Sequence, residues 1–263
     1  MAIRPADHGI FASAVAGFAG AAYFAGGSGS VSAVDKFAFP DDSRTTLATG
    51  LSAGRSQLAG AANSGTAAYF AGGREAGTVS TVNKFAFSDD SRTTLATGLS
   101  SARAQLAGAA NSGTAAYFAG GYNSTTVDKF AFSDDSRTTL GTGLSAKRAY
   151  PAGAANSGTA AYFGGGIPPG AYVAPVTTVD KFAFSDDSRT TLGTGLSVAR
   201  QALGGAANSG TAAYFAGGAL TGGARSDTVD KFAFSDDSRT TLGTGLSAQR
   251  YQLAGTANSE TLA

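Results

Sequence analysis

The segment "TVDKFAFSDDSRTTLGTGLS" at positions 178–197 recurs, letter for letter, at positions 228–247. Close relatives of this string start at Val34, Val82 and Val127. A second element, "AAYFAGG", alternates with these strings and occurs once as "AAYFGGG". Self-similarity with a period of roughly 47 residues is typical of repeat architectures, in which each unit buries its apolar surface against its neighbours.

The spacing of the repeat separates a constant part from a variable part. From the valine of each "VDK" or "VNK" to the next glycine pair the distance is always 38 residues (34 to 72, 82 to 120, 127 to 165, 179 to 217). From the glycine pair to the following valine it is 8, 10, 7, 14 or 12 residues. All length variation therefore falls in one loop per unit.

The unit has the pattern of four short β-strands. "TAAYFAGG" and "VDKFAF" are short aromatic runs bounded by Gly, Asn, Asp and Ser, which favours strands. "QLAGAA" and "TTLGTGLS" supply two more, with "ANSGT" as a hairpin turn and "SDDSR" as a polar turn. Because the blades of a propeller crowd together at the axis, the small residues of "QLAGAA" suit the innermost strand. Five such units predict an all-β, five-bladed β-propeller.

The unit resembles a Kelch repeat. "AYFAGG" is similar to the Kelch strand that ends in Gly-Gly, "VDKF" to its Val-x-x-Tyr strand, and "GLSAxR" to its Leu/Met-Pro-x-x-Arg segment. The resemblance extends over nearly the whole chain and implies four-stranded Kelch-like blades. It departs at the usual Kelch tryptophan, where this chain has the Arg or Thr of "SRTT", so the outer packing must differ.

The register also predicts how the ring closes. The last unit reaches Ala263, in register with Ala116, and the "YFAGG" that would follow occurs at positions 23–27. We expect the C-terminal strand at 251–258 to pair with the N-terminal strands, so that residues 16–263 form one propeller. Residues 1–15 are then an extension and a possible anchor. In the alternative, "IFASAVAGFAG" fills the inner position and the C-terminal strand is donated to a neighbouring molecule.

The composition argues against several function classes. A net charge of +1 gives no electrostatic case for nucleic acid or an anionic membrane. The chain has no cysteine and one histidine, His8, so a Ser-His-Asp or Cys-His set inside the repeats is excluded. The apolar stretch at 9–27 resembles a signal-peptide core, but its second half recurs internally. We therefore expect no enzyme, no cofactor, no metal and no membrane span.

The Asp-Asp-Ser-Arg motif occurs once in each unit, beginning at Asp41, Asp89, Asp134, Asp186 and Asp236. Two adjacent carboxylates are Ca²⁺ ligands in principle, but Ca²⁺ takes six to eight oxygens, and an arginine competes here. We interpret the motif as a capped turn with an ion pair. It should share one face of the propeller with the "NSGT" turns.

The opposite face should carry the variable loops and the "SAxR" connections. Exposed, apolar or charged side chains there are the predicted contact residues. They are Arg74, Glu75, Tyr122, Asn123, Arg148, Tyr150, Ile167, Pro168, Pro169, Tyr172, Arg225 and Tyr251. In the alternative interpretation, the arginines at 55, 103, 148, 200 and 250 brace adjacent blades by bonding backbone carbonyls.

These patterns favour a non-enzymatic structural or interaction module. Near-identical blades with Ser-, Thr- and Gly-rich surfaces are similar to the repeat-built β modules of bacteriophage appendages. The leading hypothesis is therefore a virion tail, neck or fibre component, on a virion or extracellular surface, that contacts structural proteins or a host glycan or protein. The alternatives are a lectin whose sites lie between blades near Tyr23, Tyr69, Tyr117, Tyr162 and Tyr214, or a cytoplasmic Kelch scaffold of a bacterium.

Overall fold

The structure is a computed structural model, and it describes residues 21–39, 41–170 and 173–255. The chain is all-β and forms a five-bladed β-propeller of four-stranded antiparallel blades, as the repeat predicts. Four blades have all four strands within the described residues, and the first blade has three of them there. A 3₁₀ helix at Thr221–Gly223 is the one helical segment among the described residues, where no helix has the length and hydropathy of a membrane span.

The strands follow one another in sequence order within each blade. Blade 1 contains β1 (Ala21–Ala25), β2 (Val34–Ala38) and β3 (Arg44–Thr46). Blade 2 contains β4 (Ala59–Asn63), β5 (Ala67–Ala71), β6 (Val82–Ala86) and β7 (Arg92–Thr94). Blade 3 contains β8 (Ala107–Asn111), β9 (Ala115–Ala119), β10 (Val127–Ala131) and β11 (Arg137–Thr139).

The last two blades repeat the same arrangement. Blade 4 contains β12 (Ala152–Asn156), β13 (Ala160–Gly164), β14 (Val179–Ala183) and β15 (Arg189–Thr191). Blade 5 contains β16 (Gly204–Asn208), β17 (Ala212–Ala216), β18 (Val229–Ala233) and β19 (Arg239–Thr241). The outer strand is only the "RTT" of each unit, so it is shorter than "TTLGTGLS" suggested, and the remainder is the connection to the next blade.

The innermost strands approach one another so closely that a glycine is required in β8, β12 and β16. β4, β8, β12 and β16 lie side by side around the axis. A Cβ on Gly108 would lie 2.1 Å from the carbonyl oxygen of Gly60, and one on Gly153 would lie 2.2 Å from that of Gly108. Gly205 makes the same approach to Gly153, at 2.2 Å. The sequence prediction that "QLAGAA" is the axial strand is confirmed.

The hydrophobic core is divided among the seams between successive blades. In the seam between blades 2 and 3, Tyr69 and Val82 of blade 2 pack against Phe118 and Phe130 of blade 3. Phe130 is fully buried, with 0% of its surface exposed, and it meets Phe118 edge to face at a centroid separation of 5.9 Å. The same cluster recurs at three further seams, so the core is built by repetition rather than around one centre.

In blades 2 to 5, both carboxylates of the Asp-Asp-Ser-Arg turn have structural roles. The first accepts a hydrogen bond from a backbone N–H two residues on, as from Ser136 to Asp134 at 3.0 Å. The hydroxyl of Ser136, and after it this backbone N–H, hold the pKa of Asp134 below its ordinary value. The second aspartate adopts a positive φ, 59° at Asp135, and binds Lys84 of the preceding blade at 2.8 Å. The motif is thus a capped turn with an ion pair, as interpreted, and the ion pair also joins two blades.

Ring closure by the C-terminal strand cannot be followed to its end within the described residues. Positions 251–255 are not in a strand, and 256–258 lie outside the described ranges. Gly255 nevertheless continues the axial glycine series, because its Cβ would lie 2.7 Å from the carbonyl oxygen of Gly205. The possible anchor at 1–15, which includes His8, also lies outside the described residues, as do positions 16–20 at the predicted start of the propeller.

Candidate interaction face

The variable loops gather at one end of the propeller, here called the loop face. Its described residues are 28–33, 74–81, 122–126, 167–170, 173–178 and 219–228, with the connecting segments that contain the repeated arginines. Isolated bridges join Ser56 to Arg74 and Ala149 to Ile167. The Tyr122 amide donates to the carbonyl of Ala104 at 3.0 Å. Each of these loops therefore begins beside the connection that leads into its own blade. This placement of the loops agrees with the sequence prediction.

The opposite end, here called the turn face, consists of the "NSGT" and "SDDSR" turns. The amide of Phe87, just before one Asp-Asp-Ser-Arg turn, donates to the carbonyl of Thr66 at 2.8 Å. Asn111 Oδ1 accepts from the Gly158 amide of the next blade, also at 2.8 Å. These contacts recur from blade to blade, so the turn face is uniform. Among the described residues, no group of three His, Cys, Asp or Glu side chains could hold a metal ion.

At the centre of the loop face, one residue from each connection encircles the axis. The five are Gln57, Gln105, Tyr150, Ala202 and Gln252, all with positive φ between 52° and 63°. Each successive amide donates to the preceding carbonyl: 105 to 57 at 2.9 Å, 150 to 105 at 2.8 Å, 202 to 150 at 3.0 Å and 252 to 202 at 2.7 Å. The chain direction thus turns sharply at the same point of every blade.

Four of these axial residues, at 57, 105, 150 and 202, line a depression together with Leu58, Leu106, Pro151, Leu203 and Leu253. Its polar groups are uncharged. Gln105 Nε2 donates to Gln57 Oε1 at 3.2 Å, and Gln57 Nε2 donates to the Tyr150 hydroxyl at 3.1 Å. A concave site with an apolar wall and a few convergent amide and hydroxyl groups is a common form of ligand-binding pocket. Its lining suits a neutral ligand that forms hydrogen bonds.

Several predicted contact residues are accessible on this face. Tyr122 is 63% exposed, and Arg74, Asn123 and Arg225 are also exposed. The Arg225 guanidinium lies 5.4 Å from the ring centre of Tyr251, which is half-buried, so these two side chains form one surface unit. Half-buried residues complete the set: Glu75, Tyr150, Ile167, Pro168 and Pro169. Tyr172 lies outside the described residues.

Arg148 was grouped with the surface contact residues, but the structure places it in the interior. Its side chain is 1% exposed and binds Asp180 of the next blade at 2.6 Å. Its guanidinium also donates to the carbonyl oxygens of Phe163 and Thr178, both at 3.2 Å. Arg148 therefore braces two blades, as the alternative interpretation of the arginines proposed, because its charge is buried and needs these acceptors.

The corresponding arginines at 55, 103 and 200 are buried in the same way. Burial lowers the pKa of Arg103 and Arg200, while their aspartate partners oppose that shift. Burial likewise lowers the pKa of Arg55, to about 10, and Glu75 on the loop face opposes it. Arg55 differs from the others because its side-chain acceptor is Asn83 instead of an aspartate, at 2.5 Å.

Four of the five strand tyrosines that an inter-blade lectin would use are core residues, and the fifth, Tyr214, is half-buried. Tyr23, Tyr69, Tyr117 and Tyr162 are at most 1% exposed. Each hydroxyl donates to the second aspartate of the next blade's turn, as from Tyr69 to Asp135 at 2.6 Å. The pKa of all four hydroxyls is raised, chiefly by burial and secondly by the hydrogen bond to the aspartate. They are therefore unavailable as platforms for a sugar.

Comparison with known proteins establishes the fold alone. No family model matches the chain, and no curated protein matches it. A solved structure described as "Structure of YjhT" superposes with a TM-score of 0.74 over 96% of this chain and 89% of that chain, at 17% sequence identity. That similarity supports the propeller fold, and the Kelch-like character of the repeats stays a prediction.

Proposed function

We propose that the chain is a non-enzymatic interaction module that binds a partner through its loop face. The observation that carries this proposal is the contrast between the two ends of the molecule. The turn face repeats the same turns and the same contacts, whereas the loop face presents five loops of different length and sequence. Binding residues concentrate on variable loops that a rigid scaffold positions.

The chemistry of the loop face supports binding more than catalysis. Its exposed side chains include Tyr122, Arg74, Arg225 and Asn123, around an axial depression whose polar groups are amides and a phenol. Tyrosine and arginine are enriched at the centres of protein interfaces. The paired aspartates recur in every blade, and in blades 2 to 5 the second of each pair binds a lysine and a tyrosine, as Asp135 binds Lys84 and Tyr69.

A virion component is the biological setting that we propose for this module. Near-identical blades and the Ser-, Thr- and Gly-rich composition support it by analogy with phage appendages built from repeats. In that setting the loop face contacts a structural protein of the particle or a molecule on the host surface. Capsid and tail genes beside the coding gene would support this setting, and a neighbourhood of metabolic genes would count against it.

Glycan binding is a second candidate function, and its location differs from the one the sequence suggested. The buried strand tyrosines of blades 1 to 4 are unavailable as platforms between blades, but the axial depression offers neutral hydrogen-bonding groups beside Tyr150 and Pro151. An aromatic ring with adjacent amides can contact both the apolar face and the hydroxyls of a sugar. A glycan ligand is therefore expected at the axis.

The test compares two variants on printed arrays of glycans and of purified surface proteins. The loop-face variant carries Tyr122→Ser and Arg225→Ser. The turn-face variant carries Ser185→Arg and Ser209→Arg, which add bulk at exposed positions of the uniform end. We expect the wild type and the turn-face variant to bind the same array spots and the loop-face variant to lose them. Loss in the turn-face variant with retention in the loop-face variant would refute the proposal.

A further inference from the structure

One residue in each of the connections that lead into blades 2 to 5 has a left-handed backbone conformation that its side chain does not favour. The φ angles are 57° at Gln57, 63° at Gln105, 55° at Tyr150 and 52° at Ala202. Aspartate and asparagine tolerate this region and glycine enters it without steric cost, but Gln, Tyr and Ala have no such compensation. The chain uses glycine at positive φ elsewhere, as at Gly72, so these axial positions retain their side chains in spite of the strain.

The same four positions differ in side chain although their surroundings are constant. They carry Gln, Gln, Tyr and Ala in the order of the blades, whereas a glycine follows three residues later in every unit. Their backbone is also constant, because the amides of residues 105, 150 and 202 each donate to the carbonyl of the preceding axial residue. Strained residues that persist at a concave site are typical of ligand clamps. We therefore interpret these side chains as contacts for a ligand.

Three of the side chains form a polar crescent around one side of the axial depression. Gln105 Nε2 donates to Gln57 Oε1 at 3.2 Å, and Gln57 Nε2 donates to the Tyr150 hydroxyl at 3.1 Å, so the crescent spans blades 2 to 4. All three residues are half-buried, and a ligand in the depression can reach them. A carboxamide has two N–H donors and an oxygen with two lone pairs, so these two bonds leave both glutamines able to bind a ligand.

The opposite side of the depression is apolar and open. Ala202 has only a methyl group where the other three positions have long side chains, and Leu203 and Leu253 lie beside it in the lining. None of the described lining residues is charged. The buried bracing arginines are not part of the lining, since they bind acceptors inside the blades, as Arg200 binds Asp230 at 2.5 Å. A charged ligand group would therefore be buried here without a counter-ion, which is costly.

The size of the depression limits what it can hold. Its volume is about 80 Å³, below the roughly 300–1,000 Å³ of pockets that enclose a drug-sized molecule. It therefore takes one terminal group of a ligand, while the rest of the ligand lies over the loop face. A peptide terminus is charged, and an apolar side chain would leave the glutamine amides unpaired, so neither matches the lining. A neutral sugar matches both sides, because it has hydroxyls along its edge and C–H groups on its ring face.

We propose that the axial depression takes a single neutral terminal sugar of a glycan, and that the residues at 57, 105, 150 and 202 determine this specificity. The crescent binds the hydroxyls, and the space beside Ala202 admits the ring. The inference rests on the glycan-binding function proposed above, and it adds the class of sugar and the residues that select it. Acidic and amino sugars are rejected because the lining offers no counter-ion.

Substitutions that the chain itself carries provide the test. Ala202→Gln gives blade 5 the residue that occupies positions 57 and 105 at a similar φ, so it fills the open side on an unchanged backbone. Gln201→Ala is the matched control, because residue 201 is absent from the lining and its equivalents in blades 3 and 4 are alanine. Thermal unfolding midpoints equal to that of the wild type verify that both variants fold.

The proteins are applied to an array of glycans with neutral, acidic and amino-sugar ends, and the glycan bound by the wild type is then titrated by calorimetry. We expect the wild type to bind neutral ends. Ala202→Gln should weaken this binding by about tenfold or more, because it occupies the space of the sugar ring. Gln201→Ala should leave the affinity unchanged.

Gln57→Ala separates a direct contact from an effect through the fold. Glycans whose terminal sugar lacks one hydroxyl at a time are titrated against the wild type and this variant. If Gln57 binds one hydroxyl, removing that hydroxyl weakens binding to the wild type but has little further effect on binding to the variant. A variant for which every deoxy form keeps its relative affinity would show that Gln57 does not contact the sugar.

Three results would overturn the inference: strongest binding to acidic or amino-sugar ends, an affinity that Ala202→Gln does not change, or no glycan bound at all. These results are distinguishable from failure of the loop-face proposal, because the same samples are applied to the surface-protein array beside the variant with Tyr122→Ser and Arg225→Ser. A surface protein that the wild type binds and this variant loses, without any glycan binding, would support the loop face and refute the axial sugar site.

Discussion

Replacing Asn83 by aspartate should stabilise the protein, because it gives the buried Arg55 the counter-ion that the other three bracing arginines have. Arg55 is 0% exposed, and its guanidinium donates to the carbonyls of Gly72 and Thr81 and to Asn83. None of these acceptors is charged. Burial lowers the pKa of Arg55 to about 10, even though Glu75 opposes the change.

The size of the effect follows from two considerations. A pKa lowered from its ordinary value to about 10 means that burial destabilises the charged guanidinium by about 3 kcal/mol. This figure is the upper limit for the stabilisation that a counter-ion can provide. Hydrogen bonds to charged groups are worth roughly 1 kcal/mol more than neutral ones. An aspartate at 83 also fits without rearrangement, because Thr94 can donate to it as Thr139 donates to Asp128 at 2.7 Å. We expect a gain of about 1–2 kcal/mol in the free energy of unfolding.

Urea unfolding at neutral pH, followed by far-ultraviolet circular dichroism, measures this change. The matched control is Asp128→Asn, which converts the seam of Arg103 to the arrangement found at Arg55 and should lose about 1–2 kcal/mol. The sign of the two changes is the test. If Asn83→Asp destabilised the protein while Asp128→Asn stabilised it, the desolvation of the carboxylate would exceed its attraction to the guanidinium. That result would refute the reasoning.

Two further changes are expected to act through single contacts. Gly108→Ala should lower the free energy of unfolding in urea by about 2–3 kcal/mol, because the new Cβ would meet the Gly60 carbonyl. The control is Gly141→Ala, whose Cβ points into open space and should change that free energy by less than about 0.5 kcal/mol. Equal effects of the two substitutions would contradict the close axial approach. Tyr117→Phe should lose about 1 kcal/mol at neutral pH, since it removes the 2.7 Å hydrogen bond to Asp187. Burial and this carboxylate raise the pKa of Tyr117 in the folded protein, so with rising pH its phenol ionises in the unfolded chain first. The difference in free energy of unfolding between the wild type and Tyr117→Phe should therefore shrink by about 1.4 kcal/mol per pH unit above pH ~10. An advantage that grew with pH would contradict this.

The blade count and the strand positions could be predicted from the sequence because the repeat is nearly exact. Constant spacing from Val34 to Gly72 and its equivalents identifies a rigid unit, and variable spacing identifies the loops. Alternation of strand direction then assigns the loops and the turns to opposite ends. The close approach at Gly108 was also foreseeable, since the "AGAA" part of "QLAGAA" contains only small residues.

Contacts between blades could not be predicted in the same way. Asp135 and Lys84 are 51 residues apart in the chain, and only the rotation from one blade to the next brings them together. The recurrence of Lys in "VDKF" with the second Asp of "SDDSR" was a signal that they form a pair, but it was equally consistent with two exposed residues. Arg148 illustrates the same difficulty. An arginine that recurs once in each unit is expected both when it braces two blades and when it lies on the surface, so the sequence pattern does not distinguish the two roles.

The most direct test of a functional loop face is the hydrogen-exchange footprint of the ligand that the arrays identify. Amide exchange is measured for the free protein and for the complex. The expected protection lies in residues 74–81, 122–126 and 219–228 and at the axial positions near Gln105 and Tyr150, with the turn face unchanged. Protection confined to the "NSGT" and "SDDSR" turns, with unchanged exchange in the loops, would contradict the assignment of function to the loop face.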